Sequence, residues 1–224
     1  DEAVQLWKTR LVGQIGPDGK EHAFCSWDPW LNHEWRSKPR NTHEEIRDYY
    51  NSDCHVVFQD FMGGAWTEGD DRPEILQSLN LQGQSVLDFG CGSGRFGRSC
   101  VKAGAQVTFV DISPRLMAGV RLMCEKRGFP VSTLDVEQAI PPEGFDLVVC
   151  CDVFEHALDP CEVLGRLVAS LKPGGFLFQT VFFGTHDLAP YHLDSNLHFA
   201  DEWKTVCEEA GLTLRQKMSS EELW

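Results

Sequence analysis

From Ser85 onward, short apolar runs alternate with stretches in which apolar residues recur at helical spacing. The runs are rich in Val, Leu and Phe and predict strands, whereas the longer stretches between them predict helices. This alternation is typical of β-α units, which form a doubly wound, mostly parallel α/β sheet. The predicted strands are one that begins at Val86, then 106–111, 131–136, Phe145–Cys151, 176–183 and 213–217.

Capping residues mark where helices of this region begin and end. Ser113 followed by Pro114 predicts one N-terminus, and Gly128 predicts the end of the same helix. Asp159, with Glu162 three positions later, predicts a second helix, which stops before 173–175. A further helix is predicted over residues 200–210.

The first 75 residues follow a different pattern, with scattered Gly and Pro and most of the tryptophans. The tryptophans that precede the core are Trp7, Trp27, Trp30, Trp35 and Trp66. Thr42 and Glu45 form a capping box, and the helix that follows carries Ile46, Tyr49 and Tyr50 on one side. We therefore predict an N-terminal aromatic-rich arm and helical cap over 1–75 and a core domain over 76–224.

A glycine-rich stretch, VLDFGCGSGRFG at 86–97, lies where the first predicted strand turns into a helix. Gly90, Gly92 and Gly94 allow a tight turn and leave room for the backbone to approach a ligand. The free N–H groups at the start of the helix add donors for that ligand. The pattern therefore predicts a ligand-binding loop.

Charge bears on which ligand this loop holds. Gly92, Gly94 and Gly97 also fit the dinucleotide fingerprint, so a nicotinamide or flavin enzyme is one alternative. However, the Asp88 carboxylate at the strand end would repel a pyrophosphate and attract a cationic ligand. S-adenosylmethionine carries an amine and a sulfonium and no phosphate, so the charge pattern favours it.

Composition narrows the range of partners. The net charge is −14 and the sequence pI about 4.9, which argues against nucleic acid or an anionic membrane surface as a partner. No apolar run is long enough to span a bilayer, and no signal-peptide pattern is present. The nine cysteines contain no C-x-x-C pair, which predicts reduced thiols and a cytoplasmic protein. Because the chain begins with Asp1, we expect that a preceding segment has been removed.

Acidic residues follow two further strands, at the sheet edge where ligands of doubly wound folds bind. Asp111 comes at the interval after the glycine loop at which an acid reaches a ribose diol. Asp135 is placed to bind an adenine amino group or to cap a turn.

From about residue 81 to 175 the chain resembles the class I S-adenosylmethionine-dependent methyltransferases. LDFGCGSG resembles their first motif, VDIS the ribose-binding acid, FDLVVCCDVFEHALDP the fourth motif and LKPGGFLFQT the strand-five motif. The segment CCDVFEHALDP is similar to that of the ubiquinone-biosynthesis O-methyltransferases. The family sheet usually has seven strands, and the residues after 213–217 leave almost no room for the last, which predicts an incomplete edge or a truncated chain.

The resemblance implies transfer of a methyl group from S-adenosylmethionine to a small-molecule acceptor. It places the methionine part of the cofactor on the glycine loop, the ribose on Asp111 and the adenine on Asp135. The helix with Tyr49 and Tyr50, followed by a Gly63-Gly64 break, is expected to close over the cofactor as a lid. The predicted cofactor-binding residues are Asp88, Gly90, Cys91, Gly92, Gly94, Asp111, Ile112, Asp135, Val136, Cys151, Tyr49 and Tyr50.

The acceptor is expected on the side of the loop after the fifth strand, residues 184–198. If the acceptor is a hydroxyl, His156 or His192 is the predicted proton acceptor. The loop also contains His186, Asp187, Tyr191, Asp194 and His198.

Asp152, Glu155 and His156 allow a second role for the fourth motif. In the ubiquinone-pathway enzymes the matching Glu-x-x-Glu-His has been linked to a divalent metal, and here the first acid is the shorter Asp. A loop-shaping role is favoured over acid–base work, and acid–base work over a metal site.

Three function classes therefore stay open. The favoured one is methylation of a small molecule, on oxygen before nitrogen or carbon. The others are a nicotinamide-dependent oxidoreductase and a non-catalytic cofactor-binding module of a larger protein. The absence of an Asn/Asp-Pro-Pro-Tyr segment at CCDV argues further against nucleic-acid methylation.

Overall fold

The computed structural model describes residues 14–15, 21–22, 35–52, 74–136, 138–184, 192–219 and 221–224. Its centre is a seven-stranded sheet in the order β5-β4-β3-β6-β7-β9-β8. The strands are β3 (Ser85–Phe89), β4 (Gln106–Val110), β5 (Ser132–Thr133), β6 (Phe145–Cys151), β7 (Leu171–Thr180), β8 (Gln216–Met218) and β9 (Glu221–Leu223). β9 runs antiparallel to β7 and β8, and the pairs among β3 to β7 are parallel. The predicted doubly wound sheet is confirmed.

A two-stranded antiparallel hairpin, β1 (Gln14–Ile15) with β2 (Glu21–His22), is separate from this sheet. The helices are α1 (His43–Asn51), α2 (Glu74–Gln77), α3 (Arg95–Lys102), α4 (Pro114–Arg127), α5 (Pro160–Ser170) and α6 (Phe199–Glu209). No helix in the described ranges combines the length and the apolar character that crossing a membrane requires.

The predicted helix caps are present. The Thr42 hydroxyl accepts from the Glu45 N–H, and the Asp159 carboxylate accepts from the Glu162 N–H. Ser113 caps α4, and Gly128 ends that helix with φ 65°, in the left-handed region that glycine favours. These local signals are confirmed because each acts within a few residues of its own position.

The core has two halves, one on each face of the sheet. Val86 of β3 and Leu147 of β6 pack with residues of α3 and α4, and the next residues along, Leu87 and Val148, pack with α5 and α6. This alternation follows from the two-residue period of a strand. The central strands are therefore apolar on both faces.

The predicted incomplete sheet edge is wrong. β8 begins three residues later than predicted, and Ser219, with φ 55°, lies in the turn that leads into β9. Trp224 exchanges two backbone hydrogen bonds with Leu177, of 2.9 and 3.1 Å. Three residues suffice for this strand because Leu223 and Trp224 are buried and anchor it in the core.

Two other strand boundaries differ from the prediction. β5 contains only two residues. β7 begins at Leu171, five residues earlier than predicted, and residues 172–175 form an irregularity within it. Phe145 pairs with Leu171, whereas Leu147 pairs with Phe176. Pro173, Gly174 and Gly175, which predicted a break, therefore follow the end of the helix and lie where the register of the strand shifts.

The cysteines in the described ranges, seven of the nine, are free thiols. Cys25 and Cys54 lie outside the described residues.

Replacing Gly97 by Ala should lower the free energy of unfolding by about 1–3 kcal/mol, a typical cost of overpacking. A Cβ there would lie 2.3 Å from Cε1 of the fully buried Phe109 and 2.6 Å from Oδ2 of Asp88. Gly165 is the matched control, because it is exposed in α5 and a Cβ there meets no atom within 4 Å. Gly165→Ala should stabilise by about 0.5–1 kcal/mol. Denaturant unfolding of both variants measures this, and equal effects would contradict the packing of Gly97.

Candidate functional site

The glycine loop connects β3 to α3 at the carboxyl edge of the sheet. Gly90, Gly92 and Gly94 have φ of 65°, 53° and 72°, and Gly94 is the N-cap of α3. A Cβ at Gly90 would lie 2.3 Å from Cγ2 of Val153. Val153 follows β6, so this contact joins the loop to the segment that carries Glu155 and His156.

Asp111 follows β4 and fixes the shape of this loop. Its Oδ2 accepts from the Gly92 N–H at 2.9 Å, and its Oδ1 accepts from the Ser113 N–H at 2.8 Å. Burial raises the pKa of this carboxyl to about 6. Each carboxylate oxygen can accept more than one hydrogen bond, so the two backbone bonds leave capacity for hydroxyl donors. Asp111 and the adjacent Ile112 are both half-buried.

Asp88 lies deeper, with 3% of its surface exposed. Its Oδ2 accepts from the Gly97 N–H at 2.9 Å, which ties the end of β3 to the first turn of α3. Burial raises its pKa to about 7, and the Gly97 bond opposes that rise. The structure thus shows Asp88 holding the loop, and its contact with the methionine part of the cofactor stays a prediction.

Arg98 is a functional candidate that the sequence analysis missed. It is buried to 3% exposure in α3 and donates to the Ser93 carbonyl inside the glycine loop. Its positive charge lowers the pKa of Asp88. The signal in the sequence was an arginine near the start of the helix that follows the glycine loop.

The other predicted cofactor residues of the core lie at the same edge of the sheet. Cys91 is in the loop, with Sγ 3.7 Å from the Met117 sulfur, and Cys151 ends β6. Asp135 is exposed after β5, and the Val136 carbonyl accepts from Arg166. Their contacts with a cofactor stay predictions.

On α1, Tyr49 is 3% exposed and its ring contacts Trp35 edge-on at 4.9 Å between centroids. Tyr50 contacts Tyr49 at 5.3 Å. The lid role of this helix stays a prediction, since the proposed hinge at 63–64 lies outside the described residues. The boundary near residue 75 also stays a prediction.

The burial of Asp88 should make the stability of the folded protein depend on pH. A carboxyl whose pKa rises from 3.8 to about 7 on folding binds more protons in the folded state, so its contribution to stability falls as pH rises through that interval. Asp88→Asn removes the titration and keeps an oxygen for the Gly97 N–H. The Tm of this variant minus that of the wild type should therefore increase between pH 5 and pH 8 in thermal unfolding without ligand. A difference that does not change with pH would contradict the buried carboxyl.

Asn196 joins the segment 192–198 to the turn after β6, the two parts of the chain that are predicted to face the acceptor. Its Nδ2 donates to the carbonyls of Phe154, Glu155 and Ala157 at 3.3, 3.3 and 2.7 Å. The Leu193 N–H donates to the Glu155 carbonyl at 3.0 Å. Asn196, which the sequence analysis did not single out, thus fastens residues 192–198 to the turn after β6. His186, Asp187 and Tyr191 lie outside the described residues.

His156 and His192 are brought together by this junction. Their ring centroids are 5.0 Å apart, and one donor atom of each lies within 4.8 Å of the other and of a Glu155 carboxylate oxygen. His192 Nδ1 lies 2.5 Å from the Gly184 carbonyl. His198 is exposed, with Nδ1 2.9 Å from the Ser195 carbonyl, and is not part of this group.

Glu155 is 1% exposed. Its Oε1 accepts from the Phe182 N–H at 3.3 Å, and its Oε2 has no hydrogen-bond donor within the described part of the chain. Burial raises the pKa of this carboxyl to about 8. We call Glu155, His156 and His192 the histidine–glutamate cluster.

Asp152, the first acid of the predicted metal set, does not converge with this cluster. Its Oδ1 accepts from the Thr180 hydroxyl at 2.9 Å, and its backbone has φ 53°. The ligand set that the structure assembles therefore contains His192 in place of Asp152. The cluster fits a divalent cation, because it offers two imidazoles and a buried carboxylate oxygen that has no donor from the described residues.

Known proteins are similar to this chain over the region that contains the site. Residues 87–177 match the family model described as a methyltransferase domain. The chain is 31% identical over 154 residues to the ubiquinone biosynthesis O-methyltransferase of Xanthomonas euvesicatoria pv. vesicatoria (strain 85-10), covering 62% of this chain and 64% of that protein. Residues 87–177 are thus similar to a methyltransferase domain, which confirms the predicted resemblance to the class I S-adenosylmethionine-dependent methyltransferases.

Solved structures share the fold of this chain. Phosphoethanolamine N-methyltransferase 2 of Haemonchus contortus, in complex with S-adenosyl-L-methionine, has a TM-score of 0.60 at 20% identity and covers 78% of this chain and 46% of that one. The 4+2 cyclase SpnF has a TM-score of 0.58 at 19% identity and covers 78% and 74%. Proteins with this fold therefore catalyse different reactions. The chain spans less than two thirds of the length of two curated relatives that it matches, both of them ubiquinone biosynthesis O-methyltransferases.

Proposed function

We propose that this protein transfers the methyl group of S-adenosylmethionine to a hydroxyl group of a small molecule. The observation that carries the proposal is the contact of Val153 with Gly90. This contact joins the glycine loop, to which Asp111 is hydrogen-bonded, to the turn with Glu155 and His156 at the same edge of the sheet. The relative at 31% identity is named an O-methyltransferase, which supports oxygen as the atom methylated.

On the cofactor side, the chain offers backbone and carboxylate groups. Asp111 is proposed to accept from the ribose hydroxyls with the lone pairs that Gly92 and Ser113 do not use. Asp135 and Val136 are proposed to lie against the adenine. S-adenosylmethionine supplies an electrophilic methyl group on a positively charged sulfur, which the negative charge of Asp88 and Asp111 favours.

On the acceptor side, the oxygen forms a bond to the methyl carbon while the carbon–sulfur bond breaks. The hydroxyl proton must leave for the oxygen to act as a strong nucleophile. His156 and His192 are proposed to promote that loss, in the simplest form by taking the proton on an imidazole nitrogen. Holding the two reactants in line is the other contribution of the site, and in well-oriented systems it is worth ~7–11 kcal/mol.

Titration calorimetry with S-adenosylmethionine, its demethylated product S-adenosylhomocysteine and NAD tests the cofactor assignment. We expect micromolar binding of the first two ligands and none of NAD, because Asp88 and Asp111 disfavour a pyrophosphate at the loop. Binding of NAD alone would favour the oxidoreductase alternative. Methyl-labelled cofactor with panels of phenols, amines and carboxylic acids then identifies the acceptor class, and label transferred only to amines would overturn oxygen methylation.

We further propose that the acceptor is small and that the protein is cytoplasmic. The net charge of −14 disfavours a nucleic-acid acceptor, and the free thiols of the described cysteines support a reducing compartment.

A further inference from the structure

We propose that Arg98 is a positioning residue for the cofactor: it fixes the glycine loop from the core side and supplies the positive charge that balances the buried Asp88 carboxylate. The inference rests on the proposed function, in which the ligand of this loop is S-adenosylmethionine. Arg98 belongs to α3 and is 3% exposed, so its side chain acts through the loop rather than on the ligand itself. It would control how tightly the cofactor binds and at which pH.

The first argument is the hydrogen bonding of the peptide group between Ser93 and Gly94. Its carbonyl accepts from Nη1 of Arg98, and its N–H donates to the Cys91 carbonyl at 2.7 Å. The backbone N–H of Arg98 also donates to the Gly94 carbonyl, at 2.9 Å. Because a peptide group is planar, bonds to both of its polar atoms fix its orientation. Arg98 therefore holds this part of the loop with its side chain and with its backbone.

The second argument is that carboxyl groups hold two other points of the loop and of the helix start. Asp111 accepts from the Gly92 N–H at 2.9 Å, and Asp88 accepts from the Gly97 N–H at 2.9 Å. A carboxylate makes these bonds about twice as strong as a neutral acceptor does. The shape of the loop therefore depends on the charge of the two acids, and so does the attraction of the loop for a cationic ligand.

The third argument concerns the groups that face Asp88. Burial raises the pKa of Asp88 to about 7; its backbone hydrogen bond lowers the pKa, Asp111 raises it and Arg98 lowers it. Cys150 and Cys151 of β6 also lie near this carboxyl, and burial raises the pKa of both thiols well above their usual range, so both stay neutral. Among the described residues that face Asp88, Arg98 thus supplies the charge that favours the ionised carboxylate.

The burial of Arg98 itself is the fourth argument. Burying a guanidinium costs free energy unless opposite charge and hydrogen bonds compensate for it, and apolar side chains of similar volume often stabilise a protein as well as a buried ion pair does. Stability alone therefore does not call for an arginine at this position. Binding of a cationic ligand does, because the acids of the loop must be ionised to attract it.

Calorimetric titration of Arg98→Met with S-adenosylmethionine between pH 5.5 and pH 7.5 tests the proposal. The methionine keeps an apolar stem and removes the charge. At pH 7 the affinity should fall by ~5- to 150-fold, the usual range of coupling between distinct sites. In the wild type the affinity should rise with pH as Asp88 ionises, because a protonated carboxyl no longer attracts a cation. In Arg98→Met this rise should move to higher pH, and Arg98→Lys, which keeps the charge, should move it back.

The pH range ends below the titration of the ligand's own α-amino group, at about 7.7–8.0. The titration of Asp88 is also followed without ligand, by carbon-13 NMR of aspartate-labelled protein, with Asp88→Asn to assign the signal. The pKa of Asp88 should be higher in Arg98→Met than in the wild type. This measurement does not depend on which ligand the protein binds.

Lys102→Met is the matched control, because it removes one positive charge from an exposed position in the last turn of the same helix. It should leave the affinity and the Asp88 titration as they are in the wild type. Circular dichroism of every variant checks folding. If Arg98→Met does not fold, Arg98→Gln carries the same predictions, since it also removes the charge and keeps an N–H for the Ser93 carbonyl.

Two outcomes would overturn the proposal. One is wild-type affinity for S-adenosylmethionine in the charge-free variant. The other is a loss of affinity that is the same at every pH, together with an unchanged Asp88 titration, because that is the result of a merely structural role. In both cases the wild type still binds the cofactor, and the proposed function stands. If the wild type binds no S-adenosylmethionine while Asp88 titrates at higher pH in Arg98→Met, the proposed function fails and the charge balance between Arg98 and Asp88 is supported.

Discussion

Replacing His156 or His192 by Ala should lower the turnover of methyl transfer by ~10²–10⁴-fold, the usual contribution of a group that moves a proton in the transition state. The two rings are 5.0 Å apart and share the junction built by Asn196, so either loss should disable the same function. Affinity for S-adenosylmethionine should change little, because the glycine loop and Asp111 lie on other elements. Steady-state rates with labelled cofactor and calorimetry measure the two effects separately.

His198→Ala is the control for this pair, since it removes an exposed imidazole from the same segment and should keep wild-type turnover. Full turnover in both His156→Ala and His192→Ala would show that alignment of the reactants alone drives the reaction. The wild-type rate is also measured with a chelator. Loss of the rate with chelator, and its recovery with Zn²⁺, would indicate that a divalent cation takes part in the reaction, whereas an unchanged rate would favour direct proton transfer to an imidazole.

Replacing Asp111 by Ala should weaken S-adenosylmethionine binding by ~10- to 150-fold for each hydrogen bond lost, because a hydrogen bond to a charged group is worth about 1.5–3 kcal/mol. The substitution removes the proposed ribose acceptor. It also releases the Gly92 N–H, which Asp111 holds at 2.9 Å, so the glycine loop loses a fixed point. Calorimetric titration of the variant gives the loss directly.

Asp146→Ala is a matched control for Asp111→Ala. Asp146 also accepts from a backbone N–H, that of Ser85 at 2.8 Å, and pairs with Lys172, but at the opposite end of β3. Its removal should lower thermal stability and leave cofactor affinity unchanged. If Asp111→Ala binds the cofactor as the wild type does, Asp111 is not the ribose acceptor.

Short-range chemistry made much of the domain predictable. The caps at Ser113, Asp159 and Gly128 act through hydrogen bonds or backbone angles within a few residues, so they can be predicted without knowing the fold. The glycine loop and Asp111 were also predictable, because a parallel sheet brings the carboxyl ends of its strands to one edge. Strand periodicity likewise predicted β3, β4 and β6 closely.

The parts that sequence patterns did not predict depend on residues far apart in the chain. β9 is too short to show a period, and it forms because Leu223 and Trp224 are buried and Glu222 receives hydrogen bonds from Gln179 and Lys217. The same holds for buried Arg98, whose role depends on the loop around Ser93.

The amino-acid sequence by itself determined the βα architecture, the glycine loop and the acid that shapes it, because each follows from local periodicity, capping and backbone freedom. Only the tertiary structure decided that His192, rather than Asp152, joins Glu155 and His156. The reason is physical: Thr180 of the neighbouring strand engages Asp152, while Asn196 carries the distant 192–198 segment onto the turn after β6. Neither contact can be predicted from the spacing of residues, because each depends on how separate elements pack against one another.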